Sequence, residues 1–396
     1  MADIPSYPLF NRTYHLYRLS PLYHGDTPLL DAKSLRTHAK RLREQLKGDN
    51  VRGVEVDFAG TEGALPNLGP LDECSWELMG DEDAWIDRHR HLLEPDASQL
   101  SSAVAPDQAR GIEVTLEYEK QSYNALILRD PETTSSLDHF TSLPLLLVKM
   151  PAPIREIFLN YLKTTFDAHV VSMKLPSAFL TSSLDTYLQH LSSDGSTQSI
   201  TDVIRQLQLQ LTFPTSTTLL KHIDLTIAGD DVPGFLNRGK LLPTSLHKPF
   251  TSAISSYINK HLAIDLSNPK VQISKISCSA FTVSTDRLRI VAPDIQSDTS
   301  SSGAGDPPAS SAQLAVQDFF VSLVREATGS GKFLPEDITA EKRSSTPSST
   351  AIRRVGSRKR AVSNAAAGNT TKRTKAKGKE NSTHPDGNQA MLDELV

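Results

Sequence analysis

The sequence predicts an α+β fold, and three observations carry that prediction. Residues 206–213 read Gln-Leu-Gln-Leu-Gln-Leu-Thr-Phe, a strict alternation that puts leucines on one face of a strand and glutamines on the other. Between Asp31 and Lys47, the apolar residues Leu35, Ala39, Leu42 and Leu46 recur at spacings of four, three and four, which is one face of an amphipathic helix. Strand-like and helix-like segments then follow one another in mixed order as far as Ala327. Beyond about Gly329 the chain is rich in Ser, Thr, Gly, Ala, Lys and Arg, and it is too poor in apolar clusters to offset its ordering entropy.

In chain order, a strand is expected over Tyr7 to Leu19, then the helix from Asp31 to Lys47, then a strand over Asn50 to Phe58. Asp31 is placed to accept from the free amides of the helix's first turn, and Gly48 to end it. Further strands are expected at Ser75 to Met79, Gly111 to Glu119 and Tyr123 to Arg129, with Gly80 to Pro106 as a polar surface insertion. The apolar run from Leu143 reads as a strand leading into a helix over Pro153 to His169, which carries Ile154, Ile157, Phe158, Tyr161 and Leu162 on one side. A strand over His169 to Met173 and a helix over Pro176 to Ser192 come next. After the alternating stretch, Ile223, Leu225 and Ile227 repeat the strand period. A helix over Pro249 to Leu262 precedes strands at Val271 to Val283 and Leu288 to Val291. Residues 293–311 form a low-complexity linker before a last helix, Ala312 to Ala327. The expected division is an N-terminal α+β half over 1–142 with the 80–106 insertion, a C-terminal α+β half over 143–328 with the 293–311 linker, and a disordered basic tail over 329–396.

The formal net charge of −4 conceals an asymmetry. Residues 341–396 hold twelve Lys/Arg against five Asp/Glu, a net of +7, which leaves 30 against 41, or −11, for the rest. An acidic body with a basic tail points to a nuclear address or a nucleic-acid arm. Two cysteines, Cys74 and Cys278, make no disulfide framework and lack metal-ligand spacing, as expected for a reducing compartment. Met1 to Leu9 lacks a signal-peptide pattern, and the longest apolar run, Leu143 to Val148, is far short of the ~20 residues that span a bilayer. A soluble intracellular chain is expected.

Catalytic motifs fail on inspection. Gly329-Ser330-Gly331-Lys332 has Glu326 where a phosphate loop needs glycine and Phe333 where it needs Ser or Thr. His89-Arg90-His91 has no third ligand at metal spacing. No enzyme, metal or cofactor is expected, although dispersed carboxylate pairs leave no signature in a single sequence.

Three features read as binding features instead. Lys33, Arg36, Lys40, Arg43 and Lys47 form one stripe on the first helix, beside its apolar seam. Such a row tracks phosphates and gains free energy by releasing counterions. It also arises where long stems merely cover the flank of an apolar face. In the tail, Arg353, Arg354, Arg358, Lys359 and Arg360 form one basic cluster and Lys372, Arg373 and Lys375 another, the arrangement of a bipartite nuclear-import address. Thr346, followed by Pro347, is a proline-directed phosphorylation candidate beside them. Finally, the strands around Val271, Ile273, Ile276, Phe281 and Val283 are followed by linker, so an open sheet edge is expected there, with an interior strand as the alternative.

Two blocks carry a family resemblance. The first is Tyr17-Arg18-Leu19-Ser20-Pro21-Leu22-Tyr23, followed by the basic helix and Lys47-Gly48-Asp49-Asn50-Val51. The second is Gly229-Asp230-Asp231-Val232-Pro233-Gly234-Phe235-Leu236-Asn237-Arg238-Gly239, followed by Pro249-Phe250-Thr251 and Tyr257 to Leu266. In this order they resemble the fungal branch of the centromere protein L family, over about residues 7–292. The resemblance implies two linked β-sheet halves with packed helices forming a curved surface. It implies a non-enzymatic inner-kinetochore scaffold at the centromere of the nuclear chromosome, serving chromosome segregation. It also implies pairing with centromere protein N through C-terminal sheet edges, homodimerisation when that partner is absent, and attachment with other inner-kinetochore subunits to centromeric DNA and its nucleosome. The runner-up is a generic nuclear DNA-binding or chromatin adaptor.

Overall fold

A strand that is apolar at every position has to bury both of its faces, and one with strict alternation buries only one. Both kinds occur here, and they sort the molecule into a doubly covered centre and singly covered flanks. The structure is a computed structural model and describes residues 5–51, 68–89, 104–131, 138–192, 200–214, 220–242, 248–293 and 310–329. All of them belong to one compact unit, Met1–Thr339.

The chain opens with β1 (Thr13–Leu19), β2 (Leu22–Tyr23), α1 (Ala32–Val51), β3 (Leu71–Met79) and α2 (Glu82–His89). Next come β4 (Gly111–Tyr118), β5 (Ser122–Leu128), β6 (Phe140–Thr141), β7 (Leu145–Lys149), α3 (Ala152–Thr165), β8 (Val170–Ser172), α4 (Ser177–Leu191) and α5 (Ile200–Val203). Then follow β9 (Gln206–Thr212), β10 (His222–Ala228), a 3-10 turn (Gly229–Asp231), α6 (Val232–Lys240) and α7 (Pro249–Leu262). The described chain closes with β11 (Gln272–Ser277), β12 (Phe281–Ser284), β13 (Arg287–Ile290) and α8 (Ser311–Thr328).

One antiparallel sheet runs in the order β10-β9-β11-β12-β13-β1-β7-β5-β4-β3, with β8 added alongside β1, while β2 and β6 pair separately. The fold is α+β, as the sequence predicts. The sheet is continuous across the expected 142/143 division, because β7 lies between β1 and β5, and β1 in turn pairs with β13.

Side-chain parity assigns two cores to the two faces. On β7, Leu145 and Leu147 enter one core and Leu146 and Val148 the other; on β5, Leu126 and Leu128 part in the same way from Ala125 and Ile127. The larger core lies under α4, α6, α7 and α8 and includes Leu207, Leu209 and Leu211 of β9. The second lies under α1 and α3 and includes Trp76, Val114 and Leu116. The main helices therefore cover opposite faces toward the two ends of the sheet, with the short α2 joining the larger core through Trp85 at the β3 end. Arg18 ties β1 to the last helix by donating to the backbone oxygen of Glu326 at 3.0 Å. Helix α8 starts with a reciprocal capping box between Ser310 and Gln313 and ends at Gly329 in the left-handed region.

Asp31 caps α1 as expected, accepting from the Lys33 amide at 3.0 Å and the Ser34 amide at 3.4 Å. Gly48 does not end the helix, which continues to Val51 and overrides the strand expected from Asn50. Glycine costs a helix about 1 kcal/mol but does not forbid it. The remainder of that expected strand, Arg52 to Phe58, lies outside the described residues. The 80–106 insertion holds α2, whose Trp85 donates to Pro5 O at 2.8 Å and meets the Tyr7 ring edge-on.

On the inner flank of α1, His38 sits among Trp76, Tyr161 and Phe166, with Nδ1 2.9 Å from the Tyr161 hydroxyl. Burial, helped by the Arg41 charge, pushes its pKa down to about 4. The ring is therefore neutral in the fold near pH 7.

Candidate interaction surfaces

An unpaired strand exposes a row of amides and carbonyls, so the ends of a sheet are the first places to look for a partner. The expected edge is not one. β11 lies between β9 and β12, β12 between β11 and β13, and β13 between β12 and β1. Ile273, Ile276, Phe281 and Val283 are buried in the larger core, and Val271 is half-buried just before β11. The linker after β13 follows an interior strand because β1, some 270 residues earlier in the chain, supplies the next neighbour. That candidate set is corrected accordingly.

The true ends are β3 and β10, and they differ. On β3, a bulge lies between Leu71 and Glu73, Asp72 and Glu73 are exposed, and Arg43 of α1 donates to the Asp72 carbonyl. Arg88 of α2 donates to the Leu78 carbonyl at 3.1 Å and pairs with Glu77 at 3.2 Å. Bulge, charges and side-chain donors all discourage strand addition. On β10, Ile223, Leu225 and Ile227 face the helices but remain half-buried, whereas their cross-strand partners Leu211, Leu209 and Leu207 are fully buried. Among the described residues no strand pairs with the outer side of β10.

Beside that edge lies a groove walled by Leu225 and Ile227 on one side and by Tyr257, Ile258 and Leu262 of α7 on the other, with Phe235 between them. Local chemistry fixes these walls. Gly239 lets α6 cross α7, since a Cβ there would strike the carbonyl of Pro249. Asp185 of α4, itself buried, accepts from the Phe250 amide at 2.8 Å and from the Thr251 amide at 3.3 Å, which satisfies the first turn of α7. Burial raises the pKa of that carboxyl, and the Thr251 and Phe250 donors pull against it. The Arg238 guanidinium lies 4.4 Å from the centre of the Phe235 ring, and Tyr257 meets that ring edge-on at 5.4 Å. Tyr257 and Leu262 are each 47% exposed, a large fraction for apolar walls.

The stripe on α1 divides. Lys33, Arg36, Lys40 and Lys47 are exposed, and Arg41, which the helical wheel did not select, joins them. Arg43 is half-buried and committed to β3. The stripe has company on the same side of the sheet. In one cross-strand row, Arg287 of β13 lies beside His15 of β1, and His15 beside Val148, a residue of the core under α1 and α3. Arg289 and Lys275 share that face by alternation, and burial followed by the charges of Arg155 and Arg287 lowers the pKa of His15. The basic clusters at Arg353 to Lys375 and the candidate Thr346 lie outside the described residues.

Among the described residues no group of three or more His, Cys, Asp or Glu is placed to hold a metal ion, and no helix is long and apolar enough to cross a membrane. Cys74 and Cys278 are unpaired, and burial pushes their thiols up to about 12 and about 11, which keeps them protonated near pH 7.

Among the described residues, the surface thus carries an unpaired strand edge, a largely apolar groove beside it that Asp231 and Arg238 also line, and a separate cationic side. A family model, Centromere protein L, matches residues 8–328, well over half of the chain. The chain belongs to the centromere protein L family, whose members are kinetochore subunits. No curated protein matches it in a sequence comparison.

Proposed function

We propose that this chain is a non-enzymatic inner-kinetochore scaffold that pairs with centromere protein N by accepting a strand at the outer edge of β10. The observation that carries the reading is the contrast between β10 and its neighbour. The apolar alternates of β9 are sealed, and those of β10 wait for one more strand. Strand addition supplies backbone hydrogen bonds for affinity and side-chain pockets for selectivity. Amides along β10 point alternately toward β9 and away from it, so proline at Leu225 and at Thr226 tests the reading. One variant breaks the ladder to β9; the other removes an outward donor only. The folded variant of the two is expected to lose co-purification with centromere protein N, and retained pairing refutes the proposal.

Attachment to centromeric DNA is a second reading, favoured by the exposed cations of α1 and of the β13 face lying on one side of the sheet. Replacing Lys33, Arg36, Lys40 and Lys47 by Gln is expected to flatten the dependence of log affinity on log salt by about 0.9 per lost phosphate contact. An unchanged slope in the assembled complex leaves these residues as stems covering the apolar flank. The tail is proposed to direct nuclear import; replacing Arg358, Lys359, Arg360, Lys372 and Arg373 by Ala should reduce nuclear accumulation when the partner is absent.

A further inference from the structure

Backbone pairing alone accepts almost any extended segment, so the groove beside β10 decides which strand is taken. Three observations describe the missing piece. Ile223, Leu225 and Ile227 have a buried neighbour on the β9 side and, among the described residues, no strand on the other. The opposite wall, Tyr257 and Leu262 of α7, stands exposed across the groove. On the other face of β10, His222, Asp224 and Thr226 are polar and in water. A strand laid along β10 alternates its own side chains between these two environments, one apolar and one wet.

We infer that the partner strand is amphipathic and carries a large apolar anchor, preferentially aromatic, whose side chain seats between Leu225, Ile227, Tyr257 and Leu262 over the Phe235 ring. Phe235 and Tyr257 already meet at an interplanar angle of 84°, so a third ring finds edge and face contacts within reach. Arg238, whose guanidinium lies over the Phe235 ring, lines the same groove with Asp231 and adds a cation to aromatic recognition. The occupant is thus an extended strand of a partner chain, identified by its alternation, rather than a helix, which presents no two-residue period and leaves the β10 backbone unpaired. The inference rests on the β10 reading proposed above.

The test uses the full chain and recombinant centromere protein N as the probe, with circular dichroism verifying the fold of each variant. Tyr257→Ala combined with Leu262→Ala removes one wall from exposed positions, and it is expected to weaken binding at least tenfold. Tyr257→Phe, which keeps the ring, is expected to remain within twofold. If the double variant binds like the parent while the outward-facing proline in β10 abolishes binding, strand addition stands and the groove inference falls. If the double variant weakens binding but the proline does not, the groove takes something other than a strand, and the inference is again overturned. Binding unaffected by either change removes the β10 reading itself. A double variant that fails to fold is replaced by Leu262→Lys, which places a charge at the groove wall and is expected to give the same loss.

Discussion

The two ends of this sheet solve the same physical problem in opposite ways. At β3 the edge is closed by a bulge, exposed carboxylates and two arginines that reach backbone carbonyls from α1 and α2. At β10, among the described residues, no strand covers the edge, and the apolar side chains behind it are half-covered. Protection at one end shows that the chain has the means to blunt an edge. Among the described residues β10 carries no such protection, which is what the proposed pairing there requires.

Breaking an interior strand instead of an edge should show the largest contrast. Ile276→Pro falls within β11, paired on both sides and fully buried, so it should cost more than ~3 kcal/mol and abolish cooperative unfolding in a denaturant titration. The outward-facing proline in β10 should leave the unfolding midpoint nearly unchanged.

Acid should loosen the β3 end before the β10 end. His38 is held neutral with a pKa of about 4, whereas the unfolded chain titrates near 6.5. Above pH 6.5 neither state binds the proton and nothing changes. As pH falls from 6.5 toward 4 only the unfolded state takes it up, so stability is lost across that window. With partial exposure discounted, the loss should be on the order of 1–2 kcal/mol, and His38→Gln should flatten the profile. Hydrogen exchange should show α1 and β3 losing protection first, because His38 of α1 packs on Trp76 of β3.

Opening the closed edge sharpens the comparison further. Arg43→Ala frees the Asp72 carbonyl and should cost about 1 kcal/mol. It should also raise concentration-dependent self-association in sedimentation. Unaltered association would mean that the bulge and carboxylates suffice.

The smallest effect concerns the end of α7, one wall of the groove. Ala263 holds φ 54, a left-handed conformation that an L side chain resists. Ala263→Gly should stabilise the protein by about 0.5–1 kcal/mol in thermal unfolding while leaving partner affinity within twofold.

Local features were legible in the sequence because they arise from local physics. Alternation at Leu207, Leu209 and Leu211 predicts a strand with one buried face, and the unbroken run at Leu145 to Val148 gives the doubly buried one. Strand order was not legible. β9 pairs with β11 across some 60 residues and β1 with β13 across some 270, and no periodicity records such distances. Chain order alone therefore points to the last strands, Val271 to Val283, whereas among the described residues the free edge belongs to the second member of an earlier hairpin. Ile223, Leu225 and Ile227 carried the strand signal, but nothing in their pattern shows which side lacks a neighbour. Arg43 fitted a cationic stripe by its helical angle; its commitment to Asp72 depends on where β3 lies, which a helical wheel does not contain.

The pairing of β1 with β13 also sets a clock on the ribosome. β1 is complete once Leu19 has been made, and β7 and β8 give it neighbours by Ser172, but the partner of its first three residues, Thr13 to His15, is not available until Ile290. At ~5–20 residues per second that part of the first strand waits ~14–55 s with the β13 side open. During that interval its buried faces, Tyr14 and Leu16, lack the helices that later cover them. Nascent chains of this protein should therefore engage chaperones through their N-terminal segment, with release beginning once β7 and β8 pair with β1 and completing with synthesis of β13 and α8.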